Sequence, residues 1–130
     1  HAILIDEEPD IVAIEGYAFG RPNQATSIGE VGGVLRLALY DAGVPWKVIP
    51  PSNIKQYATG KGNAGKADVL VAAVKRLGYD GADDNEADAL WLRALVLDGY
   101  GHPVVTVPET HRKAMAKLTF LPLELGTVTW

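Results

Sequence analysis

The stretch PWKVIPPSNIKQYATGKGNAGKADVLVAAVKRL, residues 45–77, decides the fold class of this chain. Residues 45–49 form a short apolar run that predicts a β-strand, and residues 51–57 predict a short helix opened by proline. A glycine-rich loop over residues 59–65 leads into an amphipathic helix over residues 66–77. A strand that is followed by helices is the repeating unit of an α/β domain.

The residues on either side of this stretch continue the pattern. Residues 11–14 are an apolar run between a proline-containing turn and a glycine, which predicts a strand buried on both faces. Residues 24–42 predict a glycine-rich helix, and residues 85–98 predict the most apolar helix of the chain. Residues 102–107 predict an extended segment, and residues 108–118 a last helix. Strands that alternate with helices indicate an α/β fold with parallel pairing.

Composition limits the class of protein. The 130 residues are 48% hydrophobic and 22% charged, a globular mixture that predicts one domain over residues 1–130. Cysteine is absent, which excludes disulfides, thiolate zinc sites and cysteine nucleophiles. No apolar run approaches the roughly 18–20 residues of a membrane span, and the acidic first residues do not resemble a signal peptide. We therefore expect a cytoplasmic protein with no membrane partner.

Charge is unevenly distributed along the chain. The net charge is −4, but residues 47–76 hold six basic residues and one acid, a local balance of +5. The rest of the chain therefore holds a balance of −9. Such a basic stretch on an acidic molecule predicts either a face for a polyanion or a solvated surface.

Acidic residues stand where a carboxylate is costly to bury. Glu15 ends the first predicted strand, and open α/β sheets bind ligands beyond the carboxyl ends of their strands; the alternative is a strand end paired with arginine or facing solvent. Asp84 and Asp88 share one face of the apolar helix, and Asn85 nearly shares it. Asp88 enters an apolar layer, where an unpartnered acid is rare. Oxygen donors without histidine or cysteine suit Mg²⁺ or Mn²⁺, and two such ions about 4 Å apart can act on a phosphodiester.

The acids beside this face have a structural explanation. Asp83 predicts an N-cap, and Glu86 three residues later completes a capping-box pattern. Asp84 is the alternative cap. Neither explanation accounts for Asp88.

The loop GKGNAGKA, residues 60–67, nearly matches a nucleotide-binding P-loop. Its last position is Ala67, so the hydroxyl that binds Mg²⁺ is absent, and the segment before it predicts a helix instead of a strand. We therefore exclude a nucleotide triphosphate site. The loop can still hold a backbone phosphate through N–H groups and lysines, or it can be solvated.

Aromatic residues follow Glu15 in the loop GYAFGRP, residues 16–22. Tyr17, Phe19 and Arg21 can stack on bases, although such aromatics also pack into cores. The isolated histidines predict surface positions; they are His1, His102 and His111. THRKAMAK, residues 110–117, predicts a solvated basic helix face that could also touch DNA.

In this order, the pieces resemble the RuvC Holliday junction resolvases, and especially their shorter phage relatives. A strand ending in Glu, an aromatic loop, a glycine-rich helix, a second strand, an I-K-Q segment, a G-K-G-x-A-x-K loop and a late D-A-L helix recur over about residues 9–98. The resemblance implies a ribonuclease-H-like fold, with a mixed central sheet flanked by helices. It also implies a homodimer, joined through the glycine-rich helix, that cuts Holliday junctions or other branched DNA.

The resemblance also implies residue roles. Each site would use four acids and two Mg²⁺ or Mn²⁺ ions to activate water against a phosphodiester, leaving a 5′-phosphate. Glu15 matches the second acid and Asp88 the last. The third position falls on Asn85 by spacing or on Asp84 one residue earlier, and Asp84 is favoured because asparagine is a weaker, neutral ligand.

Basic and aromatic residues carried over by the resemblance would contact DNA. Lys66 matches the lysine after the glycine-rich loop, Lys61 lies in that loop, and Lys55 lies in the I-K-Q segment. Tyr17 or Phe19 would take the place of an aromatic wedge at the junction, next to Arg21.

One departure from the family pattern concerns its first strand, which carries an Asp near the N-terminus. Asp6 and Asp10 lie outside any predicted strand. We therefore expect that the first strands, roughly forty residues, are missing from this chain or come from another polypeptide. Cleavage by the chain alone would then be weak. Two alternatives follow: a non-catalytic module of the same fold that binds branched DNA, and an α/β protein whose acids are caps and surface charge.

Overall fold

The computed structural model describes residues 11–16 and 37–120. The chain divides into two compact units, His1–Val48 with Leu121–Trp130, and Ile49–Phe120. The expectation of one domain over residues 1–130 stays a prediction.

Two strands are described at the start of the chain, β1 (Val12–Glu15) and β2 (Trp46–Ile49). They lie side by side in a parallel two-stranded sheet, and the Val12 N–H donates to the carbonyl of Pro45 at 3.0 Å. Residues 12–14 are only half-buried and Glu15 is exposed, so the expectation of burial on both faces is wrong for this strand. Residues 37–41 are helical, as predicted for the end of the glycine-rich helix.

The second unit is helical. Its elements are α1 (Pro51–Thr59), α2 (Lys66–Leu77), α3 (Asp84–Gly99) and α4 (Glu109–Arg112), followed by a 3₁₀ turn (Lys113–Met115). None of the helices described in residues 37–120 is long and apolar enough to cross a bilayer.

Proline and glycine set the ends of α1 and α2. Pro51 opens α1, where its fixed φ suits a helix and its missing N–H costs nothing. Gly60 ends α1 with φ 87°, and its N–H donates to the carbonyl of Gln56 at 2.8 Å. Gly65 precedes α2 and Gly78 ends it with φ 69°, so the predicted bounds of 66–77 are confirmed.

A side-chain cap begins α3. The carboxylate of Asp83 accepts from the N–H groups of Asn85 at 2.8 Å and Glu86 at 3.3 Å, which confirms the predicted N-cap. The expected capping box is not formed, because the Glu86 carboxylate accepts from the Tyr79 hydroxyl at 2.8 Å. That hydroxyl oxygen accepts from the Asp83 N–H at 3.2 Å in place of Glu86.

Aromatic packing holds the helices of the second unit together. Trp91 on α3 is fully buried, and its indole N–H donates to the carbonyl of Val69 on α2 at 3.3 Å. Tyr57 on α1 meets the Trp91 ring edge-to-face, with ring centroids 5.9 Å apart. The buried aliphatic side chains around them include Ile54 and Leu95. These contacts fix α3 against both preceding helices.

The segment after α3 differs from the prediction. The expected helix over residues 108–118 is limited to α4 and the 3₁₀ turn, where the Asn53 amide donates to the carbonyl of Ala114 at 2.7 Å. His111 is 8% exposed, so its predicted surface position is wrong, whereas His102 is exposed as expected. His1 lies outside the described residues.

Candidate metal and nucleic-acid site

The acids Asp84 and Asp88 lie one turn apart at the start of α3, and both are half-buried. Burial raises the pKa of Asp88 above its usual value, and the Asp84 carboxylate raises it further. Lys66 and Lys55 oppose this shift by lowering the pKa of Asp88. The structure therefore brings together two of the predicted oxygen ligands and two of the predicted DNA-contacting lysines.

Lys66 forms an ion pair with one member of this pair, Asp84. Its Nζ lies 3.8 Å from Oδ2 of Asp84, and the two side chains are 71% and 39% exposed. An ion pair this exposed contributes about 0–1 kcal/mol to stability. The ion pair matters mainly because it holds a cation beside the Asp84 carboxylate.

Asn85 occupies a different environment from Asp84. Its side chain is exposed, and its N–H is held by the Asp83 cap. Asp84 is the carboxylate whose charge acts on Asp88. The geometry therefore favours Asp84 over Asn85 as the acid that would share a ligand with Asp88.

Glu15 is the last residue of β1 and belongs to the first compact unit. Its partnership with Asp88 stays a prediction. The remaining predicted DNA contacts, Tyr17, Phe19 and Arg21, lie outside the described residues.

Lys61 does not belong to the group around Asp88. It lines an open cleft together with Lys75 and Arg76 on α2. The glycine-rich loop that holds Lys61 follows a helix, α1, as predicted, and not a strand.

The donor set fits a hard divalent cation in kind but is incomplete in number. Within residues 11–16 and 37–120, no three His, Asp or Glu side chains come close enough to hold an ion. Asp84 and Asp88 supply carboxylate oxygens, the ligands that Mg²⁺ and Mn²⁺ prefer. Burial first, and then the charge of Asp84, raise the pKa of Asp88, and a bound cation would oppose both effects.

Comparison with known proteins assigns the family. A protein-family model described as "Crossover junction endodeoxyribonuclease RuvC" matches residues 1–95. This chain belongs to the RuvC family. The match covers β1, β2, α1, α2 and most of α3, and therefore every predicted site residue.

Individual relatives agree with the family match. The chain is similar to a crossover junction endodeoxyribonuclease RuvC of Synechococcus sp. (strain CC9311), 35% identical over 100 residues that make up 75% of this chain and 61% of the relative. It is also similar to one of Gloeobacter violaceus, 34% identical over 104 residues, or 78% of this chain and 58% of the relative. The chain thus spans about three-fifths of the length of these relatives.

The structure resembles that of RuvC from Thermus thermophilus, with a TM-score of 0.62 and 29% sequence identity over 80% of this chain and 66% of the other. This likeness confirms the predicted α/β, ribonuclease-H-like fold class.

Two features of this RuvC-family chain are absent from the predictions. The Asp98 carboxylate is buried and accepts from the Tyr57 hydroxyl at 2.8 Å and from the Arg112 guanidinium at 2.9 Å and 3.3 Å. His111 is buried against α1, with Nδ1 3.2 Å from the carbonyl of Tyr57. Two features of the sequence could have pointed to this network: Asp98 is the last acid of an apolar helix, and the THRK segment is basic. No rule of sequence spacing, however, predicts that these two segments contact each other.

Proposed function

We propose that this chain carries the site of a divalent-metal-dependent endonuclease that hydrolyses phosphodiesters in Holliday junctions or other branched DNA. The observation that supports the proposal is the Asp84–Asp88 pair with Lys66 and Lys55 beside it, on the segment that matches the RuvC family. Paired carboxylates with adjacent cations suit a reaction whose substrate is an anion and whose cofactor is a cation.

In this proposal, Glu15, Asp84 and Asp88 hold two Mg²⁺ or Mn²⁺ ions. When bound, the ions would supply the activation of water and the neutralisation of charge on the phosphodiester. Lys66 and Lys55 offset the desolvation of Asp88, as their effect on its pKa indicates, and so help it to stay ionised. In this proposal the same lysines also meet non-bridging phosphate oxygens of the DNA.

Rigid support for the carboxylates comes from α3 itself. The Asp83 cap fixes the first turn, which holds Asp84, and the buried Trp91 anchors the next turn after Asp88. A ligand pair on a packed helix keeps its geometry better than one on a loop.

The test of this proposal is cleavage and binding of a four-way junction by Asp84→Asn and Asp88→Asn variants. The Mg²⁺-dependent cutting rate of each variant should fall at least about 100-fold, because each substitution replaces a charged carboxylate ligand with a neutral amide. Binding without metal should be retained. Asp80→Asn is the matched control, since Asp80 is an exposed acid in the loop before α3. Normal cutting by both α3 variants would refute the site.

Asn85 provides a second discrimination within the same assay. If Asp84 fills the third acid position, Asn85→Ala should cut at close to the parental rate while Asp84→Asn does not. The reverse result would assign that position to Asn85.

A homodimer belongs to the same proposal. Leu37 and Tyr40 are large apolar side chains, 61% and 75% exposed, at the described end of the glycine-rich helix. Exposed apolar groups on one helix favour association with a second copy. Sedimentation should give a mass of two chains, and Leu37→Asp should shift it toward one.

The same assays separate the second candidate, a non-catalytic module that binds branched DNA. Within the second compact unit, over residues 49–120, no third acid joins Asp84 and Asp88, and this observation favours the module. Salt-sensitive junction binding with no cutting in Mn²⁺ would support the module over the nuclease.

A further inference from the structure

An open cleft of about 400 Å³ lies within the second compact unit, on a part of the surface that the proposed nuclease site does not use. The end of α1, the glycine-rich loop, α2 and α4 all contribute to it. Small apolar side chains line part of it, among them Ala58, Ala64 and Ala72.

The cleft and the Asp84–Asp88 pair meet different faces of α2. The residues of α2 that line the cleft are Asp68, Val71, Ala72, Lys75 and Arg76, which recur at helical spacing along one stripe. Val69 and Ala73, the buried residues of α2, belong to another face, and Lys66 at the start of the helix pairs with Asp84. An anion in the cleft would therefore not occupy the proposed catalytic site.

Positive charge surrounds the cleft. Lys61, Lys75 and Arg76 are exposed on its walls, and Asp68 is the one acid among its lining residues. No carboxylate in the described part of the chain lies within ion-pair distance of these three cations. Their charge is thus available to a ligand, and the field in the cleft favours an anion.

The inner wall of the cleft is built by His111, which lies beyond the residues that match the RuvC family. Its Nδ1 donates to the carbonyl of Tyr57, because a carbonyl can only accept, and this bond fixes the ring. A Cβ at Gly60 would lie 2.9 Å from Nε2 of the same ring, so the close approach requires glycine there. The wall is therefore preformed.

We propose that this cleft binds the sugar–phosphate backbone of a DNA strand, as a second contact site apart from the Asp84–Asp88 pair. Lys61, Lys75 and Arg76 contact phosphates, and the small apolar residues give room for the sugar. An open cleft suits a continuous strand, whose chain must enter and leave. The inference rests on the proposed action on branched DNA and names where a strand is held outside the cutting site.

The test measures how junction binding depends on salt, without Mg²⁺ or Mn²⁺ so that cutting plays no part. In the Lys75→Gln/Arg76→Gln double variant, the slope of log affinity against log salt should fall in magnitude by about 1.8, since each phosphate contact in a duplex contributes about 0.9. A fourfold rise in salt should then weaken the variant about 12-fold less than the parent. Lys61→Gln alone should lower the slope by about 0.9.

The matched control is Lys113→Gln/Lys117→Gln, which removes two exposed charges that do not line the cleft. An unchanged slope in the control, with the expected fall in the cleft variants, supports the cleft. Equal slope changes in both double variants, or none in either, would overturn it. Circular dichroism of each exposed-residue variant should match the parent.

Two further results separate neighbouring explanations. Inorganic phosphate at millimolar concentration should not displace the junction. If phosphate binds the cleft tightly, and Lys75→Gln/Arg76→Gln leaves the salt dependence of junction binding unchanged, the ligand is free phosphate and the proposal is refuted. If the chain cuts no junction but shows the slope change, the cleft stands and the nuclease proposal falls.

Discussion

Asp98 is a buried carboxylate at which three helices of the second unit converge. It lies on α3, its partners Tyr57 and Arg112 lie on α1 and α4, and its side chain is 5% exposed. A buried charge is tolerated only where donors surround it, and here three hydrogen bonds do so. The acid thus connects the helix of the candidate site to the segment that lies beyond the family match.

We expect Asp98→Ala to lower the free energy of unfolding by about 2–3 kcal/mol, because the buried Tyr57 hydroxyl would lose its acceptor. Tyr57→Phe should cost less, about 1 kcal/mol, since Asp98 keeps its bonds from Arg112. Denaturant unfolding of both variants measures the difference. Asp80→Ala is the exposed control and should change stability by less than about 0.5 kcal/mol. A loss in Asp98→Ala no larger than in that control would show that the network does not stabilise the fold.

Tyr57 also gives the molecule a dependence on alkaline pH. Burial raises the pKa of Tyr57 above its ordinary value of 10.0, and the hydrogen bond to the Asp98 carboxylate raises it further. Above pH 10 the unfolded chain therefore releases this proton while the folded chain keeps it. Stability that is fully present below pH 10 should fall as pH rises past it.

The measurement for this pH effect is urea unfolding at several pH values from 8 to 11. The free energy of unfolding should decline less steeply above pH 10 in Tyr57→Phe than in the parent. Other tyrosines titrate in both proteins, so the difference between the two curves isolates Tyr57. Parallel curves would contradict the assignment.

At the scale of elements, Gly60 joins α1 to the wall that His111 forms. Gly60 and Gly78 both end helices with positive φ, at 87° and 69°. A Cβ at Gly78 would meet no atom within 4 Å, whereas a Cβ at Gly60 would meet the ring of His111. Comparing a substitution at Gly60 with one at Gly78 therefore separates the cost of backbone strain from the cost of a steric clash with His111.

Gly78→Ala should lower the free energy of unfolding by about 1–2 kcal/mol, the cost of a left-handed residue with a Cβ. Gly60→Ala should lower it by about 1–3 kcal/mol more, because the buried imidazole must move. Thermal or denaturant unfolding of the two variants compares them directly. Equal losses of stability in the two variants would mean that the His111 ring moves aside without a measurable free-energy cost.

The elements that sequence predicts best are those with local determinants. The bounds of α2 were predictable because glycines stand at both ends and Val69 and Ala73 repeat on one face. The Asp83 cap was predictable because it needs only the two N–H groups that follow. Likewise, the shared face of Asp84 and Asp88 follows from helical spacing.

The features that sequence does not predict depend on contacts between distant residues. Tyr79 takes the place of Glu86 at the start of α3, although either could satisfy the Asp83 N–H. His111 is buried because Gly60, 51 positions earlier, leaves room for its ring. Lys61 and Lys66, both predicted to contact DNA, have different surroundings, because Lys61 lines the cleft and Lys66 pairs with Asp84. Contacts between residues this far apart in the chain leave no periodic pattern in the sequence.

At the scale of the whole molecule, the charge distribution limits where a polyanion can bind. The chain carries a net charge of −4, yet residues 47–76 hold a balance of +5. These residues include Lys55 and Lys66 beside the acids and Lys61, Lys75 and Arg76 around the cleft. DNA should therefore approach the surface that this stretch forms and be repelled by much of the remainder.

This limit sets a measurable bound on junction binding. The six basic residues of 47–76 can neutralise at most six phosphates, so the slope of log affinity against log salt should be no steeper than about −5.4 per protein chain. The Lys75→Gln/Arg76→Gln variant lacks two of these six charges, so its slope should be no steeper than about −3.6. Fluorescence anisotropy of a labelled junction between 50 and 300 mM salt gives both slopes. A parental slope steeper than −5.4 would require cations from elsewhere, such as Arg21. A slope near zero would show that the basic stretch does not bind the phosphates at all, because each phosphate contact in a duplex contributes about 0.9 to the slope.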